Sequence, residues 1–296
     1  MDEVELSMAL DSVVGTTMTI GIVGLGLIGG SLGLDLRSQG HRVVGASRKF
    51  ETCDRAIAIG AVDDAATGLE LMQQADVIFI CTPLAIMETT VIDLIPYLAD
   101  ETILTDVGSV KGWVMQAVAP HWPNFVGGHP MAGKAENGIE AAQRDLFTGC
   151  AYVLTPTEAT PAAAVQAVEQ VVRPLQARIY HCHPDEHDRA VAWISHLPAM
   201  ISGSLVAACG SETNVSVLQL ARALASSGFR ETSRVGGGNP ELGLMMARYN
   251  SESLLRSLYT YRDQLDKVIA LIEQENWPEL EARLQQNHLT RPEFVQ

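Results

Sequence analysis

The run MTIGIVGLGLIGGS, Met18 to Ser31, sets Gly24, Gly26 and Gly29 directly behind the apolar stretch Thr19 to Val23. A buried parallel strand followed at once by this glycine spacing admits few folds. Gly24 permits the sharp turn from strand to helix, Gly26 lets a pyrophosphate come up to the backbone, and Gly29 lets the new helix lie against the strand. The backbone of Gly24, Leu25, Gly26, Leu27, Ile28 and Gly29 would then present phosphates to a helix N-terminus. The context strengthens the motif: Ser31 to Arg37 reads as the helix, and Gly40-His41-Arg42-Val43-Val44 as the turn and second strand of one βαβ unit. The expected class is an α/β, Rossmann-type dinucleotide-binding domain.

Where an NAD site would carry a carboxylate for the ribose 2′-hydroxyl, about twenty residues past the glycines, this chain reads Ser47-Arg48-Lys49. A small hydroxyl followed by two cations suits a 2′-phosphate, since Ser47 can donate a hydrogen bond and Arg48 can pair with the dianion. The cofactor expected is NADP, with an ordinary solvated loop the alternative for these residues.

Val77 to Cys81 ends in Thr82-Pro83, and Thr102 to Asp106 ends in Val107-Gly108-Ser109. Both read as parallel strands. Ligands of open α/β sheets lie beyond the carboxyl ends of the strands, so Thr82, Pro83, Asp106 and Ser109 are expected to line the crevice of the glycine loop. Further strands are expected at Asn124 to Gly128, Ala151 to Thr155 and Ala177 to His181. From about Pro184 the pattern is helical. The domains expected are therefore a cofactor domain over 18–183 and an all-α domain over 184–296. Residues 1–17 read as a disordered extension, or as sequence upstream of a start at Met18.

The stretch His181-Cys182-His183-Pro184-Asp185-Glu186-His187-Asp188 invites a zinc reading, but it has no second Cys/His pair at finger-like spacing. It reads instead as a helix start with carboxylates in the first turn, and no metal is expected. A formal charge of −15 over 296 residues argues against nucleic acid as a partner. Five scattered cysteines suggest reduced thiols and a cytoplasmic protein. The acidic N-terminus resembles neither a secretory signal nor a transit peptide, and no membrane partner is expected.

Five motifs in order, GLGLIGGS, DVGSVKG (Asp106 to Gly112), GGHPMAG (Gly127 to Gly133), HDRAVAWISHLP (His187 to Pro198) and GFRETSRVGGGNPEL (Gly228 to Leu242), resemble the prephenate/arogenate dehydrogenase family of tyrosine biosynthesis. The likeness runs from Met18 to about residue 290. It implies a Rossmann-type domain followed by a helical domain through which two subunits pair. It also implies a reaction in which a cyclohexadienol carboxylate gives up hydride, hydroxyl proton and carbon dioxide as its ring becomes aromatic.

The resemblance places His129, in GGHPMAG, as the group that accepts the hydroxyl proton, a task suited to an imidazole. Ser109 matches a serine near that histidine and the nicotinamide, while Lys111 is expected to cap or solvate. Arg234 is the candidate for the substrate carboxylate, because its planar fork can hold one bidentately. Arg230 is the second choice, and His196 is placed facing the site on a helix interrupted by Pro198, with a packing histidine as the alternative.

Three departures bear on the substrate. Many prephenate-using relatives read HLPH where this chain has His196-Leu197-Pro198-Ala199, a GTEKSG-like run where it has Gly133-Lys134-Ala135-Glu136-Asn137-Gly138, and Trp where it has Gly243. Arogenate bears an ammonium where prephenate bears a ketone, so losing donor groups while keeping Glu136 favours arogenate, with prephenate the alternative. Leu254, Leu258, Tyr261, Leu265, Val268 and Ile272 draw one apolar stripe on a C-terminal helix. A homodimer through that helix is expected, with packing inside one subunit the alternative.

Two other functions stand against this reading. A β-hydroxyacid dehydrogenase would use a KxxxN lysine, yet Lys267 is the only lysine after residue 150 and lacks an asparagine four residues on. A non-catalytic NADP-binding protein would need the glycine loop but not His129, Ser109 and Arg234 together.

Overall fold

The computed structural model describes residues 17–134 and 136–295. The extension expected over 1–17 thus lies outside the described residues except for Thr17, as does Ala135. The described chain divides into two units, one running to Ala190 and taking in Gly238–Asn250, the other comprising Val191–Gly237 and the chain from Ser251 onward.

The first unit is built on a parallel sheet of β1 (Thr19–Val23), β2 (Arg42–Ala46), β3 (Asp64–Ala66), β4 (Val77–Ile80), β5 (Ile103–Asp106) and β6 (Phe125–Val126). The spatial order is β3-β2-β1-β4-β5-β6. The crossovers include α1 (Leu27–Ser38), α2 (Phe50–Ala58), α3 (Leu84–Leu94) and α4 (Gly112–Ala117). Alternation along the strands supplies two cores. Ile20, Ile22 and Phe79 pack with Leu32 and Leu36 of α1, whereas Val23, Ile78 and Ile80 pack with Met87 and Val91 of α3. Strands covered on both faces read as continuous apolar runs, which is why they were legible in the sequence.

The single strand expected at Asn124 to Gly128 is two. After β6 the chain leaves the parallel sheet, and β7 (Gly128–Pro130) pairs antiparallel with β8 (Ala151–Leu154), itself parallel to β9 (Arg178–His181). The switch occurs at Gly127, whose carbonyl accepts the Thr155 amide at 2.9 Å. A Cβ there would collide with the Thr155 hydroxyl, so a small residue lets the backbone change partners. His129 sits on the strand that follows. Helix α5 (Ala162–Val172) covers this region, and α6 (Pro184–Val191) begins where the sequence placed a helix start.

The second unit is helical: α7 (Leu197–Gly210), α8 (Val215–Leu224), α9 (Ser227–Ser233), α11 (Ser251–Glu273) and α12 (Trp277–Thr290), with α10 (Pro240–Tyr249) belonging to the first unit. Asn214 caps α8 by accepting the Ser216 and Val217 amides. Pro198 does not interrupt the helix as expected. A wide π turn over Ala192–His196 leads into α7, with Pro198 in its first turn, where its missing amide is accommodated. Along α11 the stripe is only partly covered by its own chain: Leu254 is buried, while Leu265 and Ile272 are about half exposed, at 47% and 49%.

Candidate functional site

The glycine loop lies between the ends of β1 and β4, where the strand order reverses. Gly24, at φ +107°, donates its amide to Ala46 O, and a Cβ on it would lie 2.6 Å from Cys81 O. A Cβ on Gly29 would strike the Gly24 carbonyl. Both positions therefore require glycine on steric grounds. Gly26 differs: a Cβ there would meet nothing within 4 Å, and it caps α1 with no side-chain hydrogen bond and no carboxylate in the first turn. An open cradle at the electropositive end of a helix fits a pyrophosphate. On the neighbouring loop the Thr82 hydroxyl is buried without a partner, a polar atom awaiting one. Leu25 and Leu27 are buried in the core, so their contribution to a ligand is main-chain only. Ile28 is half-buried and Pro83 exposed.

Ser47 follows β2 and is half-buried, its amide donating to Ala66 O, whereas Arg48 and Lys49 are exposed and form no ion pair among the described residues. Lys49 closes the start of α2 through its carbonyl, which accepts the Thr52 and Cys53 amides.

Asp106 and Lys111 depart from expectation. Asp106 does not line the crevice. Its carboxylate turns inward, accepting the Gly108 amide at 2.8 Å, the Gly128 amide at 3.0 Å and the Lys111 ammonium. Lys111 is neither capping nor solvated: it is fully buried and also donates to Gly128 O at 2.7 Å. Burial pushes the Lys111 pKa down, and the Asp106 charge opposes that. A buried pair whose remaining acceptors are satisfied by backbone fixes geometry more than it adds stability. Here it closes the loop that bears half-buried Ser109 and ties it to Gly128, the residue before His129.

His129, on β7, is 8% exposed. Its Nδ1 lies 2.8 Å from Nε2 of His187, whose Nδ1 lies 2.8 Å from Oδ1 of Asp188. The Asp188 carboxylate also accepts the amides of Lys111 at 2.7 Å and Gly112 at 2.8 Å. The sequence reading treated His187 and Asp188 as part of a helix start and missed them. The available signal was periodicity: Pro184, His187, Asp188, Val191 and Ala192 are the buried positions, and their spacing marks one helix face. Two polar residues on an apolar stripe require partners.

In the second unit His196 is fully buried in the π turn. Arg230 lies on α9, and Arg234 opens the short turn Arg234–Gly237; both are exposed. The Ser202 hydroxyl on α7 donates to Thr232 O at 2.8 Å and accepts the Gly236 amide at 2.9 Å, fixing that segment. Ala199 is half-buried on α7, and Gly243 lies on α10 in the first unit. Glu136 is exposed.

Residues 32–181 match the nucleotide-binding domain of prephenate dehydrogenase, and residues 183–286 match its dimerization domain. The chain is 32% identical to prephenate dehydrogenase of Bacillus subtilis over 87% of its own length and 71% of that protein. It is 50% identical to Synechocystis arogenate dehydrogenase in crystal structure, with a TM-score of 0.84, covering 94% of this chain and all of that one. Prephenate dehydrogenase from A. aeolicus, solved with hydroxyphenyl propionate and NAD+, superposes with a TM-score of 0.88 at 25% identity, over 94% and 98% of the two chains. With a parallel-sheet unit that matches the family's nucleotide-binding domain and helices that match its dimerization domain, the chain belongs to the prephenate/arogenate dehydrogenase family.

Proposed function

We propose that this enzyme oxidatively decarboxylates L-arogenate to L-tyrosine with NADP. The observation that carries the substrate choice is the half-identity, over nearly the whole chain, to an arogenate dehydrogenase. The small residues at Ala199 and Gly243 support it, since an ammonium is served by the absence of competing donors. Ala135 lies outside the described residues. For the cofactor, exposed Arg48 and Lys49 beside Ser47 support a 2′-phosphate, with no carboxylate in the Ser47-Arg48-Lys49 run to oppose it.

In this reading Gly24 to Gly29, Thr82 and Pro83 hold the dinucleotide, which when bound supplies the hydride acceptor. His129 takes the proton of the ring hydroxyl while the carbinol carbon gives up hydride. The electrons of the breaking bond to the carboxylate then flow into the ring, carbon dioxide leaves, and His129 returns the proton to the phenolate oxygen. The balance is arogenate and NADP+ to tyrosine, carbon dioxide and NADPH, with no net proton released. Ser109 orients the hydroxyl and the histidine. Arg234 pairs with the ring carboxylate, with Arg230 the second candidate and His196 a further substrate contact.

Subunit pairing through the helical domain would cover the stripe on α11. The stretch Pro184–Gly210 is long and apolar enough by composition to cross a membrane. We assign that character to the paired helical domain, because its buried Ser202 is spent on hydrogen bonds to neighbouring backbone. The five free cysteines support a cytoplasmic setting. The test is NADPH absorbance on adding arogenate, prephenate or a 3-hydroxyacid, repeated with NAD. A kcat/KM for prephenate above that for arogenate would overturn the substrate choice, and turnover of only the hydroxyacid would overturn the whole reading.

A further inference from the structure

We propose that His187 and Asp188 are positioning residues that set the tautomer of His129, so that Nε2 of His129 is the atom that accepts the substrate proton. This rests on the reading of His129 as proton acceptor. The argument follows the hydrogen-bond chain from its fixed end. The Asp188 carboxylate accepts the amides of Lys111 and Gly112 and stands as the acceptor end of the chain. The 2.8 Å contact therefore places a proton on Nδ1 of His187. In a neutral His187 the other nitrogen, Nε2, is then an acceptor, and the 2.8 Å contact to Nδ1 of His129 requires His129 to be the donor. A neutral imidazole with its proton on Nδ1 carries its lone pair on Nε2. Reversing the chain at either link would put a proton on Nε2 and make His129 a donor where an acceptor is needed.

The same chain serves the next state. When His129 accepts the proton, the positive ring keeps its Nδ1–H on His187, and the Asp188 charge lies one ring further on. This is the role that a carboxylate plays behind the histidine of a hydrolytic triad, reached here through a second imidazole. Lys111 and Gly112 contribute amides from the start of α4, the buried Asp106–Lys111 pair binds the backbone of Gly128, and Asn250, just after α10, donates to the Asp188 carbonyl at 2.8 Å. On α6 and just before it, Asp185 lies beside Gly112, and Cys182 has its thiol pKa raised by burial and by Glu186 and Asp188. Neither Lys111 nor Asp188 is free to turn, because each is held at several points. With His187 neutral, the chain's direction follows from its carboxylate end.

The experiment combines one spectrum and three variants of the full-length enzyme. In 15N-histidine spectra of the unmodified protein at neutral pH, His129 should show a protonated Nδ1 and an unprotonated Nε2; a protonated Nε2 overturns the proposal whether or not any variant folds. His187→Leu removes the acceptor and should lower kcat by about 10- to 100-fold, less than the full worth of a general base. It should also move the acidic limb of the kcat/KM profile down by about one pH unit, since the imidazolium loses its second partner. His187→Gln keeps an acceptor oxygen for Nδ1–H and should recover most of kcat. An unmoved limb, or equal losses in Leu and Gln at unchanged NADP affinity, would reduce His187 to packing and overturn the proposal. His129→Asn separates the two readings: if it turns over normally, the proton-acceptor assignment itself falls.

Discussion

Lys111 and Asp106 form an ion pair with neither side chain exposed to solvent, and both also bind the backbone of Gly128. The pair joins the end of β5 to the strand that carries His129, across a switch from one sheet to another. Its worth is geometric: it fixes where Ser109 and His129 stand while the backbone between β6 and β7 changes partners.

Replacing Lys111 by Met should destabilise the fold by about 3–5 kcal/mol, because it leaves the Asp106 charge buried and unpaired. Denaturant unfolding measures this. Lys111→Met combined with Asp106→Asn should recover part of the loss, since the amide oxygen still accepts from Gly108 or Gly128. A single variant as stable as the parent would mean that the pair adds no net stability.

His129→Ala should lower turnover by about two to four orders of magnitude while NADP affinity, measured by binding titration, stays nearly unchanged. The separation follows from position, with His129 on β7 and the glycine loop at the end of β1.

Arg48→Ala should weaken NADP binding by about 1–3 kcal/mol and leave NAD nearly untouched, as expected for one charge-assisted contact to phosphate. Titration of both cofactors decides it, and equal losses would remove the assignment.

Ala199→His should move the kcat/KM ratio toward prephenate, because a donor suits a ketone and opposes an ammonium. An unchanged ratio would shift the search for selectivity to Glu136 and Gly243.

Asp63 reports on acid stability. Burial alone would raise its pKa, but hydrogen bonds from Arg37 and the Val43 amide outweigh that and hold it below the ordinary 3.8. A depressed folded value gives stability that is present above the unfolded pKa and lost as pH falls through the folded one. Asp63→Asn should therefore lower the Tm at neutral pH, and the difference from the parent should close on acidification below about pH 4. Partial exposure keeps the effect small.

The parallel strands, the glycine turn and the helix at Pro184 were legible because each rests on local signals: apolar runs, the steric needs of Gly24 and Gly29, and a proline with carboxylates in a first turn. His129 and Ser109 were marked by motif, and the positions of both agree with a loop and strand at one end of the sheet. Asp106 was misread because a carboxylate at a strand end looks the same in sequence whether it faces a crevice or a lysine five residues on. His187 and Asp188 were passed over for a related reason: their spacing puts them on the buried face of α6, but spacing names no partner.

The sequence by itself determined the class of fold, the glycine turn and which residue types could carry proton and carboxylate chemistry, since those follow from short-range sterics, periodicity and motif. Only the tertiary structure decided that β6 and β7 belong to different sheets, that Lys111 is buried on Asp106, and that Asp188 and His187 stand in line behind His129. The partners of that line lie on β7, on α6 and at the start of α4, with His129 58 residues from His187 and Lys111 77 from Asp188. A charge or a proton is placed by whatever the fold brings within hydrogen-bond reach, and no local pattern records that.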